Sequence, residues 1–240
     1  MPRFFIDHSP KKQTVITGED GKHIAKSLRM QIGEPLTLCD GKGTDYHGII
    51  TSIEQNQITV TISDSCPTVA EPTATVTLYQ SLPKSDKMDT VVQKAIEMGV
   101  TRIVPVLSMR CISRPDEKTA QKKTQRWQKI AIEAAKQSER GVLPTVTAIM
   151  DFATAMRQAA AKSTVLFFYE GGGESLQGLI QKTCSAYSIF IGPEGGFSPE
   201  EVALAMDLGA KKTTLGPRIL RTETAPIAAL SAIMLLTDNM

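Results

Sequence analysis

Along the first quarter of the chain, apolar and polar positions alternate in short runs: Pro35-Leu-Thr-Leu-Cys39, His47-Gly-Ile-Ile-Thr51 and Gln57-Ile-Thr-Val-Thr-Ile62. A period of two sends successive side chains to opposite faces of a strand. Turn formers at Asp40-Gly41 and from Glu54 to Asn56 separate the runs, so the pattern predicts a small β-barrel or sheet. From about residue 73 the period changes, and β-rich runs alternate with helical ones, as βα units around a parallel sheet require. Strands are predicted at Thr75–Gln80, Arg102–Leu107, Thr164–Tyr169, Tyr187–Ile191 and Lys212–Leu215. Helices are predicted at Asp86–Met98, Thr119–Gln137, Asp151–Ala161, Glu174–Lys182, Pro199–Leu208 and Thr224–Leu236. Gly99, Gly209 and the pair Ser198-Pro199 supply start and stop signals. The junction falls near Pro67 to Pro72, giving domains 1–72 and 73–240.

Composition narrows the class. The 240 residues are 41% hydrophobic and 22% charged, with a net charge of +2, an ordinary globular balance. That charge is unevenly divided: residues 1–72 carry 7 basic and 9 acidic groups, residues 73–240 carry 20 and 16. No stretch approaches the roughly 20 apolar residues of a membrane-spanning helix. The opening Met1-Pro-Arg-Phe-Phe lacks the apolar core of a secretory leader. A cytoplasmic protein without membrane association is the expectation. Cys39, Cys66, Cys111 and Cys184 lie at least 27 positions apart, and with no CxxC pair they read as reduced thiols rather than zinc ligands. His8, His23 and His47 form no triad or metal-ligand spacing. Triad hydrolases and zinc enzymes are therefore excluded, and no metal is expected.

Chemistry concentrates late in the chain. Ile189-Phe-Ile-Gly-Pro-Glu-Gly-Gly-Phe-Ser-Pro-Glu200 runs an apolar strand into a glycine-rich turn and a capped helix, where backbone is free to approach a ligand. A plain βα turn is the competing reading, since the string matches neither GxGxxG nor the phosphate-binding P-loop. Leu215-Gly-Pro-Arg-Ile-Leu-Arg-Thr-Glu-Thr-Ala-Pro226 again joins a strand end to a helix start; its charges could equally be a helix cap with a surface salt bridge. Tyr169-Glu-Gly-Gly-Gly-Glu174 is a third such turn. Ligands of open α/β sheets bind beyond the carboxyl ends of strands, so three such loops would build one pocket wall. The first strand of this half, Thr75–Gln80, leads instead to Ser81 to Lys87, which has no glycine, unlike the first-strand loop of Rossmann-type enzymes. Between Arg110 and Arg140 stand nine basic and four acidic residues. On the helix Thr119–Gln137, Lys122, Arg126, Lys129 and Lys136 share one arc while Trp127, Ile130, Ala131 and Ala134 occupy the other side. That face is either a solvated surface or a contact for a polyanion.

The two long strings, Ile191-Gly-Pro-Glu-Gly-Gly-Phe-Ser-Pro-Glu-Glu201 and Leu215 to Ala225, resemble the signature of the 16S rRNA uridine-N3 methyltransferases of the SPOUT class. The resemblance extends through Met1-Pro-Arg-Phe-Phe, Leu28-Arg, Asp40-Gly-Lys-Gly, Leu82-Pro-Lys, Gln93 to Val100, Arg126-Trp-Gln-Lys-Ile and Glu133 to Ser138. The chain departs from it at Gly141-Val-Leu-Pro144, where family members often carry a second basic residue. The resemblance implies a PUA-like β-barrel that binds RNA, followed by a SPOUT-type α/β domain with a C-terminal trefoil knot. It also implies a homodimer, S-adenosyl-L-methionine as cofactor, and 16S rRNA of the small ribosomal subunit as substrate. Carried over by position, the cofactor residues would be Glu170, Gly171 and Gly172; Gly192, Pro193, Gly195 and Gly196; and Leu215, Gly216, Arg218, Ile219, Leu220 and Ala225. Uracil N3 must lose a proton, so Arg221 is expected to stabilise the anionic base, with Glu223 or Glu194 as proton acceptor. RNA contacts are expected from Arg3, Lys26, Arg29, Lys42, Arg110, Lys122, Arg126, Lys129 and Arg140. The rival is a non-catalytic RNA-binding ribosome-assembly factor, which needs no adenosyl pocket.

Overall fold

The computed structural model describes residues 1–55, 57–181 and 186–240; Cys184 and the far end of the helix expected to reach Lys182 lie outside them. The chain divides into one unit of residues 1–71 with 135–143, and another of residues 72–134 with 144–240.

In the first unit the alternating runs become β3 (Pro35–Cys39), β4 (Thr44–Glu54) and β5 (Gln57–Pro67), joined by β1 (Arg3–Phe5) and β2 (Gln13–Ile16) in the order β1-β3-β4-β5-β2. β1 runs parallel to β3 and the other pairs are antiparallel. The inward positions Leu36, Leu38, Ile50, Ile58 and Val60 are fully buried and pack with Phe4, Ile16 and Ile24. The Asp40 carboxylate accepts the amides of Lys42 at 2.8 Å and Thr44 at 3.1 Å. Gly41 and Gly43 adopt φ of +69° and +97° in that turn, a conformation cheap for glycine alone. β1 and β2 have three and four residues, too few for alternation to declare them. α1 (Gly18–Lys22) continues into a π-helical stretch, His23–Leu28, which Arg29 ends with φ of 52°.

Residues 135–143 complete this unit although the chain reaches them much later. Gly43 N–H donates to Gly141 O and Leu143 N–H to Gly41 O, each at 3.0 Å. Beneath them Arg3 grips the Asp45 carboxylate through both terminal nitrogens at 2.7 and 2.6 Å, and Thr68 donates to the same group at 2.7 Å. Arg140 donates to Glu71 at 2.9 and 2.8 Å, while Glu71 also accepts the amides of Gly141 at 2.7 Å and Val142 at 2.9 Å.

The second unit contains β6 (Thr75–Ser81), α2 (Lys87–Glu97), β7 (Arg102–Leu107), α3 (Glu117–Gln137, whose last residues belong to the first unit), β8 (Thr145–Val146), β9 (Met150–Asp151) and α4 (Phe152–Ala160). It continues with β10 (Thr164–Phe168), β11 (Glu174–Ser175), α5 (Leu176–Leu179), β12 (Ala186–Ile191), α6 (Pro199–Asp207), β13 (Lys211–Thr214) and α7 (Ala225–Leu236). The sheet runs β11-β13-β10-β12-β6-β7-β8 with β9 also beside β7, every pair parallel. The central strands β7, β10 and β12 are largely apolar runs, as burial on both faces demands, whereas β13 reads Lys-Lys-Thr-Thr. Phe152, Phe167, Phe190 and Phe197 form an aromatic core in which Tyr79 stacks on Phe190 at 4.4 Å. α2 packs on α7. Ser198 caps α6 by accepting the Glu201 amide at 3.2 Å, and Glu201 returns the bond to the Ser198 amide at 2.9 Å. One expected helix is shorter than its pattern. Glu174 and Ser175 instead pair with Thr213 and Thr214, and the helix that follows has a single turn. Strand pairing here overrides local propensity.

Candidate cofactor and substrate site

The strands β12, β10 and β13 are neighbours, so the turns that follow them meet at one edge of the sheet. Each turn has a local cause. After β10, Tyr169 N–H donates to Thr213 O at 3.2 Å and Gly172, at φ of +88°, donates to Tyr169 O. After β12, Gly196 closes a tight turn onto Pro193 O at 3.0 Å with φ of +68°. After β13, Gly216 takes φ of +103° and the chain turns at Arg221, whose carbonyl accepts the amides of Thr224 and Ala225 at 2.9 Å before α7 begins.

Together these turns enclose a cavity of about 930 Å³, ample for a nucleoside-sized ligand. From the first turn Glu170 and Gly172 line it; from the second, Gly192, Pro193, Glu194, Gly195 and Gly196. The third contributes Leu215, Gly216, Arg218, Ile219, Leu220, Arg221 and Ala225. Gly171 and Glu223, expected at the site, are not on this wall. Residues the sequence reading passed over, Tyr169, Gly173 and Thr222 among them, are on it. Gly173 was open to discovery as the last of three glycines: a Cβ there would stand 2.6 Å from the Lys212 backbone. A Cβ on Gly196 would collide with the Glu170 carboxylate. That turn and that acid are thus fitted to each other.

The charges have specific partners. Lys87 Nζ lies 3.3 Å from Glu194 and 3.1 Å from Glu223, and the Lys84 amide donates to Glu194 at 3.1 Å. Burial raises the Glu194 carboxyl, but hydrogen bonds from its own amide and that of Lys84, with Lys87 beside it, outweigh burial and hold it below the ordinary glutamate range. Glu223 is likewise raised by burial and lowered further by its own amide and Lys87. The two carboxylates anticipated as proton acceptors are therefore weak bases paired to a lysine. Thr222 donates to Gly192 O at 2.8 Å and accepts from Gln80 at 3.1 Å. Arg110 donates to Gly195 O at 2.9 Å and so braces the glycine turn from outside.

The RNA methyltransferase domain model matches residues 70–234 and the RNA methyltransferase PUA domain model residues 16–63. Ribosomal RNA small subunit methyltransferase E of Bacillus subtilis is 32% identical over 99% of this chain and 98% of its own. The chain belongs to the ribosomal RNA small subunit methyltransferase E family. Two solved structures agree in fold over nearly the whole chain. Ribosomal RNA small subunit methyltransferase E of Neisseria gonorrhoeae bound to S-adenosyl methionine has a TM-score of 0.90 at 35% identity, covering 98% of both chains. A methyltransferase of Legionella pneumophila in complex with the same cofactor has a TM-score of 0.86 at 31% identity, covering 97% of this chain and 96% of that one. The α/β fold with a PUA-like N-terminal domain is thus the architecture of this methyltransferase family.

Of the expected RNA contacts of this family member, Arg110 is exposed but donates to Gly195 O, and the other eight separate into two groups. Lys26, Arg29, Lys42, Lys122 and Lys129 are exposed, as is Arg126, which pairs with Asp89. Arg3 and Arg140 are not available: their side chains are 9% and 2% exposed and committed to Asp45 and Glu71. Sequence alone gave no sign of their carboxylate partners, which lie 42 and 69 positions away. No helix among the described residues is long and apolar enough to cross a membrane. Among the same residues no cluster of three His, Cys, Asp or Glu could hold a metal ion.

Proposed function

We propose that this chain is an S-adenosylmethionine-dependent methyltransferase that methylates N3 of a uridine in 16S rRNA, working as a homodimer in the cytoplasm, where ribosomes are assembled. The observation that carries this reading is the glycine-walled cavity at the ends of β10, β12 and β13, together with cofactor-bound relatives that share the whole fold. The residues present suit the cofactor. Glu170 offers a carboxylate for ribose hydroxyls, the glycine turns offer close backbone, and Leu215, Ile219 and Leu220 offer apolar surface for a base. When bound, the cofactor supplies a methyl group already activated on a sulfonium.

The protein's share is then position and charge. Arg221, exposed on the cavity wall, would hold the uracil anion formed as the N3 proton leaves to solvent. That assignment replaces proton transfer to Glu194 or Glu223, whose lowered carboxyls favour ionisation over proton capture. A base paired in RNA hides N3, so the target must be splayed out or single-stranded. Lys26, Arg29 and Lys42 of the first unit and the exposed lysines of α3 would hold the flanking phosphates. A trefoil knot is supported by sheet order: β13 lies between β10 and β11, inside the connection 169–173 that joins them. The homodimer is supported by α7, apolar around its circumference, with Leu235 65% exposed.

Calorimetry with S-adenosylhomocysteine, followed by methyl transfer to small-subunit rRNA and nucleoside analysis, tests the reading. 3-Methyluridine is the expected product. Failure to bind the nucleotide, or a methyl group on any other atom, overturns it.

A further inference from the structure

The segment that leaves β6 and enters α2, residues 82–87, occupies the place where many nucleotide-binding folds put their glycine loop, yet it has no glycine and stays out of the cavity wall. Its neighbours explain what it does instead. Just before it Gln80, fully buried, donates to Thr222, which donates in turn to Gly192 O. In its middle the Lys84 amide donates to Glu194. At its end Lys87 stands between Glu194, from the glycine turn, and Glu223, from the closing loop that bears Arg221. Every one of these contacts touches one or both of the same two loops.

We propose that Lys87 is a positioning residue that clasps the glycine turn after β12 to the loop 215–223, so that the cavity wall and Arg221 keep one geometry. The proposal deepens the methyltransferase reading and rests on it for the identity of the ligand. Without the ammonium, Glu194 and Glu223 would face each other as like charges, and the two loops would be pushed apart where they need to meet. A direct role on the cofactor is not required: Lys87 is absent from the cavity wall, and its two partners account for its charge. The buried Thr222 bridge sets the register of the loops, and the half-exposed lysine bridge sets their separation.

Hydrogen exchange on the ligand-free protein provides the first test. In Lys87→Met the amides of 192–196 and 215–223 should exchange faster than in the wild type, with those of α4 unchanged. In steady-state assays on small-subunit rRNA, kcat at saturating cofactor should fall about 100-fold, the cost of roughly 1 Å of misplacement. Affinity for S-adenosylhomocysteine should fall only about fivefold, at the low end of coupling between sites. Lys87→Arg should recover most of both. Unchanged loop exchange and kcat in Lys87→Met, equal acceleration in α4, or an arginine variant no better than methionine would each overturn the clasp. If wild-type protein fails to bind S-adenosylhomocysteine while the loop exchange still depends on Lys87, the ligand assignment fails and the clasp stands.

Discussion

In the barrel, Arg140 keeps 2% of its side chain accessible and Glu71 15%; at the cavity, Lys87 keeps 32% and its partners Glu194 and Glu223 21% and 31%. Both are cations held by carboxylates, and both join segments far apart in the chain. Their burial separates their work. Arg140 and Glu71 are removed from water and satisfied by each other and by the Gly141 and Val142 amides, so losing either partner strands a desolvated charge. The cavity trio remains wet, contributes little to stability, and matters for where two loops sit. Burial, and not residue type, decides whether a salt bridge holds the fold or aims a site.

The largest effect should come from the buried pair. Arg140→Met is expected to destabilise the protein by about 3–5 kcal/mol, since Glu71 would stay buried without its cation; urea unfolding followed by far-UV dichroism measures it. A loss below about 1 kcal/mol, the value of a surface pair, would put the buried pair on a par with the cavity trio. Arg221→Ala should do the reverse. Its side chain is exposed, so stability should stay within about 0.5 kcal/mol of wild type. Methyl transfer should fall about 100- to 1000-fold, as when one donor to a developing anion is removed. Near-normal turnover with cofactor still bound would take Arg221 out of the chemistry.

Gly196 offers a smaller test on the cavity side. Alanine in its left-handed conformation costs about 1–2 kcal/mol, and the new methyl would displace the Glu170 carboxylate. In Gly196→Ala the strain is the same with and without ligand and should lower Tm. Losing a hydrogen bond from the displaced Glu170, about 1.4 kcal/mol or a factor of ten, should weaken S-adenosylhomocysteine binding in calorimetry. An unchanged Kd would mean that Glu170 is not part of the binding wall.

The barrel pairs also carry a pH dependence. Burial raises the carboxyls of Glu71 and Asp45, yet Arg140 and the amides in one case, and Arg3 and Thr68 in the other, bring each below its ordinary value. A carboxyl depressed in the folded state adds stability above its unfolded value, and that stability is lost as pH falls through the folded value. Thermal unfolding from pH 7 down through the acid range should show Tm falling below about pH 4, the unfolded carboxylate value. Glu71→Gln should start lower at neutral pH and fall less steeply; parallel curves would show that the pair does not couple to protons.

These contrasts also show what was legible in the sequence. The longer strands of the α/β half could be read: Arg102–Leu107 and Tyr187–Ile191 are apolar runs that recur in the fold as β7 and β12, whereas the two-residue strands β8, β9 and β11 were too short to declare themselves. The cavity could be read as well, because glycine turns after adjacent strands are local signals. Long-range polar pairing was not legible. Arg3 and Arg140 looked like RNA contacts because charge in a sequence defaults to the surface, and the carboxylates that bury them are supplied by other segments of the barrel. Glu194 and Glu223 looked like bases for the same reason, since nothing in their own turns announces Lys87. The helix end at Gln137 could be read, but nothing in the sequence placed Gly141 and Leu143 against the Gly41–Gly43 turn, with which their backbone pairs.

The smallest effects belong to α3, where the sequence reading of charge stands on exposed side chains. Lys122 and Lys129 are exposed on that helix, and if they meet phosphates, each release of a counterion contributes to the salt slope of binding. Lys122→Gln and Lys129→Gln should each weaken rRNA binding uniformly across sequences and lower the slope of log K against log salt by about 1, with Tm unchanged. Arg126→Gln should change the slope by less, because its guanidinium is already shared with Asp89. Fluorescence anisotropy at several salt concentrations distinguishes these outcomes. An unaltered slope in both lysine variants would make this face a solvated surface, and the phosphate contacts would then fall to the exposed Lys26, Arg29 and Lys42 of the barrel.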